Sequence, residues 1–274
     1  MRYRLLALDM DGTLLTSDKR ISPGTLEALE RCARAGVAVA LCTGRGPAEL
    51  DAYRESLDGV VRYGALISGG LAYDLTLDEP LAVDALDADL IAAILKWGEV
   101  EDAMPHMLTP YASVVRRRDV ERMDSVGMGI YQGMFASCCD FEDDLLAYAR
   151  KHEGEVVKVN LYHATPEARD RTRKHLEDLP LALANAESTS VESTALGVNK
   201  ARGLEMLCRH LGCTLEECVA VGDAANDVEA LEAAGLAVAM GNATPDVRAL
   251  ADVVVADNDH DGIAEVVDRI LLEA

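Results

Sequence analysis

Aromatic residues are scarce in this chain: of 274 residues one is Trp, two are Phe and eight are Tyr, together 4%. So few rings leave no platform on which the bases of a single strand could stack. Basic residues are outnumbered as well, 26 Lys and Arg against 48 Asp and Glu, for a formal net charge of −22. That balance argues against nucleic acid and anionic membrane surfaces as partners. No stretch reaches the ~18 uninterrupted apolar residues of a membrane span. The amino-terminal MRYRLLALDMDG has too short an apolar region for a signal peptide. Cys32, Cys42, Cys138, Cys139, Cys208, Cys213 and Cys218 make an odd set without framework spacing. The expectation is a cytoplasmic protein with reduced thiols. Cys208, Cys213 and Cys218, with His210, lack the paired C-x2-C spacing of zinc sites and read as core or helix-face residues.

Apolar residues are plentiful, at 50% of the chain, enough for one large or two modest domains with packed cores. The most informative run is Leu5 to Leu15, LLALDMDGTLL. Leu5–Leu8 reads as a strand buried on both faces, closed by Asp9 and Asp11. The two carboxylates therefore stand at a strand's carboxyl end, where open α/β sheets bind ligands. Carboxylates so close repel one another, and a cation between them removes that cost. The plainer alternative is an Asx turn with a solvated aspartate.

The same grammar continues along the chain. Ser22-Pro23 opens a helix with Leu26, Leu29 and Ala33 inward, and Gly36 ends it. Val37–Cys42 is a second buried strand, ending in Thr43-Gly44-Arg45, and Pro47 begins another helix. Strand, helix, strand, helix predicts a parallel sheet with right-handed crossovers. Val60–Ser68 reads as a third strand with a Gly69-Gly70 turn after it. Near residue 80 the pattern changes. Helices over 87–100, 145–152 and 166–179 alternate with extended pieces over 156–162 and 181–184, and a Met-rich, Gly-interrupted tract spans 123–134. From Val191 the opening pattern resumes, with a helix over 200–211, buried strands over 217–221, 236–240 and 253–256, and a closing amphipathic helix over 263–272. The expectation is an α/β protein: a Rossmann-like parallel-sheet core from residues 1–79 and 188–274, interrupted by an inserted α+β domain, 80–187.

Four features then lie at strand ends or helix starts: Asp9-x-Asp11, Thr43-Gly44-Arg45, Lys200, and Gly222-Asp223-x-x-Asn226-Asp227. On one parallel sheet all four can converge on one rim. Asp9, Asp223 and an oxygen of Asp11 are hard ligands for Mg²⁺. Lys200 and Arg45 supply positive charge, and Thr43 and Gly44 offer a hydroxyl and an amide to phosphate oxygens. That local cation set answers the difficulty a −22 protein has in holding a phosphorylated substrate.

These residues carry a resemblance. The chain resembles the haloacid dehalogenase superfamily of phosphohydrolases, and within it the Cof-type sugar-phosphatase branch, with a large type IIB cap inserted between the second and third motifs. DMDGTLL over 9–15, LCTGR over 41–45, GVNKARGLEML over 197–207 and GDAANDVEAL over 222–231 match its four motifs in order. The resemblance implies Asp9 as nucleophile, forming an aspartyl-phosphate, and Asp11 as general acid and then base. It implies Mg²⁺ held by Asp9, the Asp11 carbonyl and Asp223, with Asp227 behind the ligands. Thr43, Lys200 and Asn226 would contact the phosphoryl group. Gly44 and Arg45 belong to the same clamp, Arg45 with the alternative of facing solvent. The implied activity is a Mg²⁺-dependent phosphatase acting on small phosphorylated metabolites, sugar phosphates foremost; a phosphomutase and a non-catalytic binding module are the alternatives. Oligomeric state is open.

The chain departs from the family pattern in three places. Gly69-Gly70 stands where Asn-Gly is frequent, Ala224 where Ser or Gly is common, and a frequent Pro before Lys200 is missing. His106 and His163, both in the insert, read as packing residues with substrate contact as the alternative.

Overall fold

The computed structural model describes residues 2–185 and 188–272. They divide into two compact units: Met1–Arg45, Asp51–Ala82 and Asn199–Ala274 form one, Gly46–Leu50 and Val83–Val198 the other. Strands Leu5–Leu8 (β1), Ala38–Cys42 (β2), Tyr63–Leu66 (β3), Leu71–Asp74 (β4) and Glu79–Val83 (β5) come first. Met104–Leu108 (β6), Ser113–Val115 (β7), Cys139–Phe141 (β8), Lys158–Tyr162 (β9), Leu181–Ala184 (β10) and Ser190–Ala195 (β11) follow. Cys218–Gly222 (β12), Leu236–Ala239 (β13) and Val253–Val254 (β14) complete the set. The helices are Pro23–Arg34 (α1), Arg54–Leu57 (α2), Ala88–Val100 (α3), Arg117–Val120 (α4), Gln132–Cys138 (α5), Leu145–Lys151 (α6), Pro166–Leu176 (α7), Lys200–Leu211 (α8), Val228–Ala233 (α9), Pro245–Leu250 (α10) and Gly262–Val266 (α11).

In the first unit eight strands run in the order β14-β13-β12-β1-β2-β3-β4-β5. The pairs from β14 through β3 are parallel, and β4 turns back antiparallel on β3. Every residue of β1 is buried, which is why its sequence is a continuous apolar run rather than an alternation. Register sets the site. Leu8 lies level with Leu41 on one side and Val221 on the other, so the residues after all three strands emerge at one height. The core between α8, α9, α10 and the sheet is built from Leu5, Ala40, Ala65, Leu204, Leu207, Leu231 and Val247.

The second unit holds six strands in the order β10-β11-β9-β6-β7-β8, antiparallel except for β7 beside β8. One face is apolar: Met107, Val114, Val159, Leu161 and Val191 pack with Ile91 and Ile94 of α3, Leu145 of α6 and Leu176 of α7. With a side-chain period of two, Lys158, Asn160 and Tyr162 go to the opposite face. There Met104, Val115, Cys139 and Tyr162 meet Val120, Met123, Val126, Met128 and Phe135 from the 117–138 segment. A chain of polar contacts crosses the same face: Cys139 Sγ to Ser113 Oγ at 3.4 Å, Ser113 Oγ to His106 Nε2 at 2.5 Å, His106 Nδ1 to the Tyr162 hydroxyl at 3.5 Å, and Asn160 Nδ2 to that hydroxyl at 3.2 Å. Asn160 Oδ1 is buried and has no hydrogen-bond partner among the described residues.

Several sequence expectations shift. The first unit resumes at Asn199 rather than at 188, because Ser190–Ala195 pairs with β9 and β10 in the second sheet. Residue 187, the expected end of the insert, lies outside the described residues. The third strand is four residues long, and Pro47 opens a 3₁₀ stretch to Tyr53 before α2. The closing helix is α11 continued by a π-helical Val267–Leu272. Among the described residues no helix is long and apolar enough to cross a membrane.

Candidate active site

Asp9 follows β1 directly, its amide donating to the Val221 carbonyl at 3.0 Å, so the backbone is still in sheet register where the first carboxylate appears. Asp9 is 5% exposed and Lys200 3%. Lys200 Nζ donates to Asp9 Oδ1 at 2.5 Å and to Asp227 Oδ1 at 2.6 Å. It is the first residue of α8, placed by the preceding Asn199, whose side chain accepts from the Arg202 amide at 2.9 Å. Gly69 lets that helix start come close: its φ is +93°, and a Cβ there would stand 1.9 Å from the Asn199 carbonyl oxygen. Only glycine fits at such a spot.

Asp227 Oδ2 accepts from the amides of Asp223 and Ala224 at 2.9 and 3.0 Å, closing the turn that carries Asp223. Asp227 therefore joins Lys200 to the Asp223 turn. Asp223 Oδ1 accepts from Thr13 Oγ1 at 3.1 Å. Gly12, at φ +90°, leaves the space in front of it open; a Cβ would lie 2.5 Å from Asp223 Oδ2.

Burial pushes the Asp9 carboxyl up to about 7, with the Lys200 ammonium opposing and Asp227 and Asp223 reinforcing the rise. Burial also raises Asp223. For Lys200 burial works against the charge, yet Asp9 and Asp227 outweigh it and hold the ammonium above the usual lysine range. Two carboxylates thus share one ammonium, and Asp223 stands beside them without a hydrogen bond to it. Asp9, Asp223 and Asp227 can each bring an oxygen within 4.8 Å of the others'. A hard divalent cation fits beside Asp9 and Asp223: the donors are oxygen, the local charge is negative, and Gly12 leaves a cradle a side chain would fill, whereas both Asp227 oxygens are taken by Lys200 and by backbone amides.

Asp11 sits differently. Arg45 grips it bidentately, Nε to Oδ2 at 3.0 Å and Nη2 to Oδ1 at 2.9 Å, while Lys19 Nζ donates to Oδ1 at 2.7 Å. Burial would raise its pKa, but Lys19 and Arg45 together bring it below the usual carboxylate range. Thr43 is buried, its amide donating to the Ala65 carbonyl and its hydroxyl accepting from the Arg45 amide at 3.3 Å. Gly44 lies between them in the same turn.

The structure thus gathers Asp9, Asp11, Thr43, Arg45, Lys200, Asp223 and Asp227 at one rim of one sheet. Asn226 is exposed, and among the described residues no hydrogen bond joins it to the cluster. Sequence reasoning misses Lys19: nothing in its spacing marks it, and it reaches Asp11 only because the chain folds back through a Thr16–Arg20 turn with Lys19 at φ +58°. It misses Thr13 too, although that residue stands inside the first motif, beside the two carboxylates. In the second unit His106 and His163 are buried and hydrogen-bonded, His163 to the Thr189 carbonyl and the Thr172 hydroxyl. All seven cysteines are free thiols.

Comparison with known proteins gives a consistent answer. The phosphatase YwpJ of Bacillus subtilis (strain 168) is 29% identical over 296 residues, covering 98% of this chain and all of that one. The HMP-PP phosphatase of Serratia proteamaculans (strain 568) is 31% identical over 252 residues, covering 90% of this chain and 87% of that one. Among solved structures, the haloacid dehalogenase subclass IIB sugar phosphatase BT4131 superposes with a TM-score of 0.80 at 25% identity, over 97% of this chain and 98% of that one. The family model of haloacid dehalogenase-like hydrolases matches residues 6–267, which takes in the Asp9 strand, the Lys200 helix and the Asp223 turn alike, and the chain belongs to that family.

Proposed function

We propose that this protein is a Mg²⁺-dependent phosphatase of small phosphorylated metabolites, sugar phosphates foremost, working through an aspartyl-phosphate on Asp9. The observation that carries the reading is the buried Lys200 ammonium shared between Asp9 and Asp227, with Asp223 in reach. A carboxylate attacking a phosphate dianion meets like charge, and a buried ammonium beside it lowers that barrier.

The Asp9 oxygen bonds to phosphorus as the bond to the leaving oxygen breaks, and Asp11 gives that oxygen a proton. Asp11 then takes a proton from water, whose oxygen attacks phosphorus and releases phosphate from Asp9. Asp11 is held by Arg45 as a carboxylate. For it to carry a proton that pair must open, and phosphoryl oxygens are the competing partner for the guanidinium. Thr43 and the Gly44 amide line the turn from which those oxygens are also reached. Asp9, the Asp11 carbonyl and Asp223 would hold Mg²⁺, which supplies charge neutralisation to the phosphoryl group. The inserted unit serves as the cap that chooses the substrate. Accelerations for phosphate monoesters approach about 10²¹-fold, so nucleophile, acid, ammonium and metal have to act together.

The test is phosphate release from a panel of sugar phosphates, nucleotides, and flavin and pyridoxal phosphates, with Mg²⁺ or with EDTA, beside an Asp9→Asn control. Metal-dependent release abolished in the control is expected. A folded, Mg²⁺-loaded protein that releases phosphate from none of them would overturn the reading, and phosphoryl transfer back to the substrate would make it a mutase.

A further inference from the structure

The second unit contains a cavity of about 460 Å³ that plays no part in the chemistry above. One stripe of α3 forms its floor: Ala92, Leu95, Lys96 and Glu99 recur at the three- and four-residue spacing that puts side chains on one helical face. The start of α4 and the start of α6 form its sides.

Arg116 is the unusual member. It is 7% exposed, yet its guanidinium is only partly used: Nε donates to Asp119 Oδ2 at 2.5 Å, and Nη1 stops 3.9 Å from Glu99 Oε1. Nη1 and Nη2 make no hydrogen bond among the described residues. Neither group is sealed from solvent, so at the cavity wall both stand open to an acceptor that enters it, and a guanidinium takes a carboxylate by two parallel hydrogen bonds. Lys96 and Arg118 line the same space, and neither has an ion-pair partner among the described residues.

The acids on the wall narrow the class of ligand. Glu99, Asp143 and Asp144 face a space also lined by three cations, so the lining is neutral, with Asp144 already accepting from the Ala147 amide at 2.9 Å. A phosphate dianion would meet those carboxylates. A molecule carrying both signs would not. The ammonium and carboxylate of an α-amino acid are one carbon apart, a spacing that bridges a guanidinium and a carboxylate too distant to satisfy each other. Leu95 and Leu145 offer an apolar wall for a side chain.

We propose that this cavity is a binding site for a free α-amino acid, its carboxylate on the Arg116 guanidinium, its ammonium beside Glu99 and its side chain against Leu95 and Leu145. The site is complete within the second unit and does not depend on the reaction at Asp9.

The experiment is calorimetric titration of the full chain with the common amino acids, each compared with its amide and its N-acetyl derivative. At least one amino acid binds, and either derivative binds at least about tenfold more weakly. Glu99→Gln weakens binding by a similar factor, and Ala92→Phe, which fills the cavity from α3, abolishes it. Arg116→Gln also abolishes it; because Arg116 supports buried Asp119, the Ala92→Phe variant decides the matter should that protein not fold. No binding by any amino acid at millimolar concentration overturns the proposal. So does N-acetyl or plain carboxylate binding of equal strength, or binding that survives Ala92→Phe.

Discussion

Replacing Lys200 by Met keeps the length of the side chain and removes the one charge that Asp9 and Asp227 share. Lys200 is 3% exposed, with its Nζ 2.5 Å from one carboxylate and 2.6 Å from the other. Breaking a buried pair from one side leaves the partner charge unpaired, which costs about 3–5 kcal/mol. Against a total stability of about 5–15 kcal/mol that is a large fraction. The deficit depends on pH in a definite direction. Asp9 is pushed up to about 7 by burial, so the folded state holds a proton that the unfolded chain, near 3.8, has released. Stability from this group is therefore greatest below about pH 4 and falls as pH rises through 7. Without the ammonium the carboxyl needs that proton more. The Lys200→Met deficit should be full above neutrality and smaller near pH 5.5. Urea unfolding in EDTA measures it, followed by circular dichroism, because the single Trp, Trp97, belongs to the second unit. A deficit under about 1 kcal/mol, or one that does not shrink on acidification, would refute the reasoning.

Three further outcomes are expected. Burial pushes His106 down to about 3, with Lys158 adding to the effect, while an unfolded imidazole titrates near 6.5. His106 by itself therefore withdraws about 1.7 kcal/mol from the fold between pH 6.5 and pH 5, against the opposite trend of Asp9, and the difference between the thermal melts of the native protein and of His106→Gln across that range measures it. Gly69→Ala drives a Cβ against the Asn199 carbonyl at 1.9 Å in a left-handed backbone, so it should cost at least about 3 kcal/mol and release Lys200 from position, read as a lower melting temperature together with lost turnover. Arg45→Lys keeps the charge but not the two-point grip on Asp11, and turnover should fall about tenfold while stability moves by less than about 1 kcal/mol, checked by rate and urea midpoint on the same preparation.

The parts of the fold that can be read from sequence share a cause. β1, β2 and β12 are buried on both faces, so each is an apolar run that stops where the polar residue after its strand begins, and α8 begins at Lys200 and ends at Leu211, as its periodicity predicts. The second sheet resists such reading because one of its faces is polar and buried at once. Lys158, Asn160 and His106 are 1–4% exposed, yet each breaks the apolar pattern by which a buried strand is recognised. Ser190–Ala195, SVESTA, fails for the same reason, and its partners lie far away along the chain. At the site the carboxylates and Lys200 are legible because charge at a strand end has few uses. Arg45 is legible as a cation at the end of the second strand, but its two-point grip on Asp11, the Lys19 fold-back and the Thr13 hydroxyl are not, because they depend on loop paths that no periodicity encodes.

The register of β1 also has a meaning for the chain as it is made. Leu5 pairs with Ala38 on one side and Cys218 on the other. A chain emerging from the ribosome amino end first can lay β2 and β3 beside β1, but its other edge stays open until β12 appears. All six strands of the second sheet, Met104 through Ala195, are synthesised in that interval. Asp9 is made before its partners and then waits, since Lys200, Asp223 and Asp227 all follow. The pairing that completes β1 is the slow, long-range kind, and it is also the pairing that brings the carboxylates around one ammonium. Until β12 is made the second sheet can pair its strands while the first cannot close around β1, and the site forms only when β12 arrives.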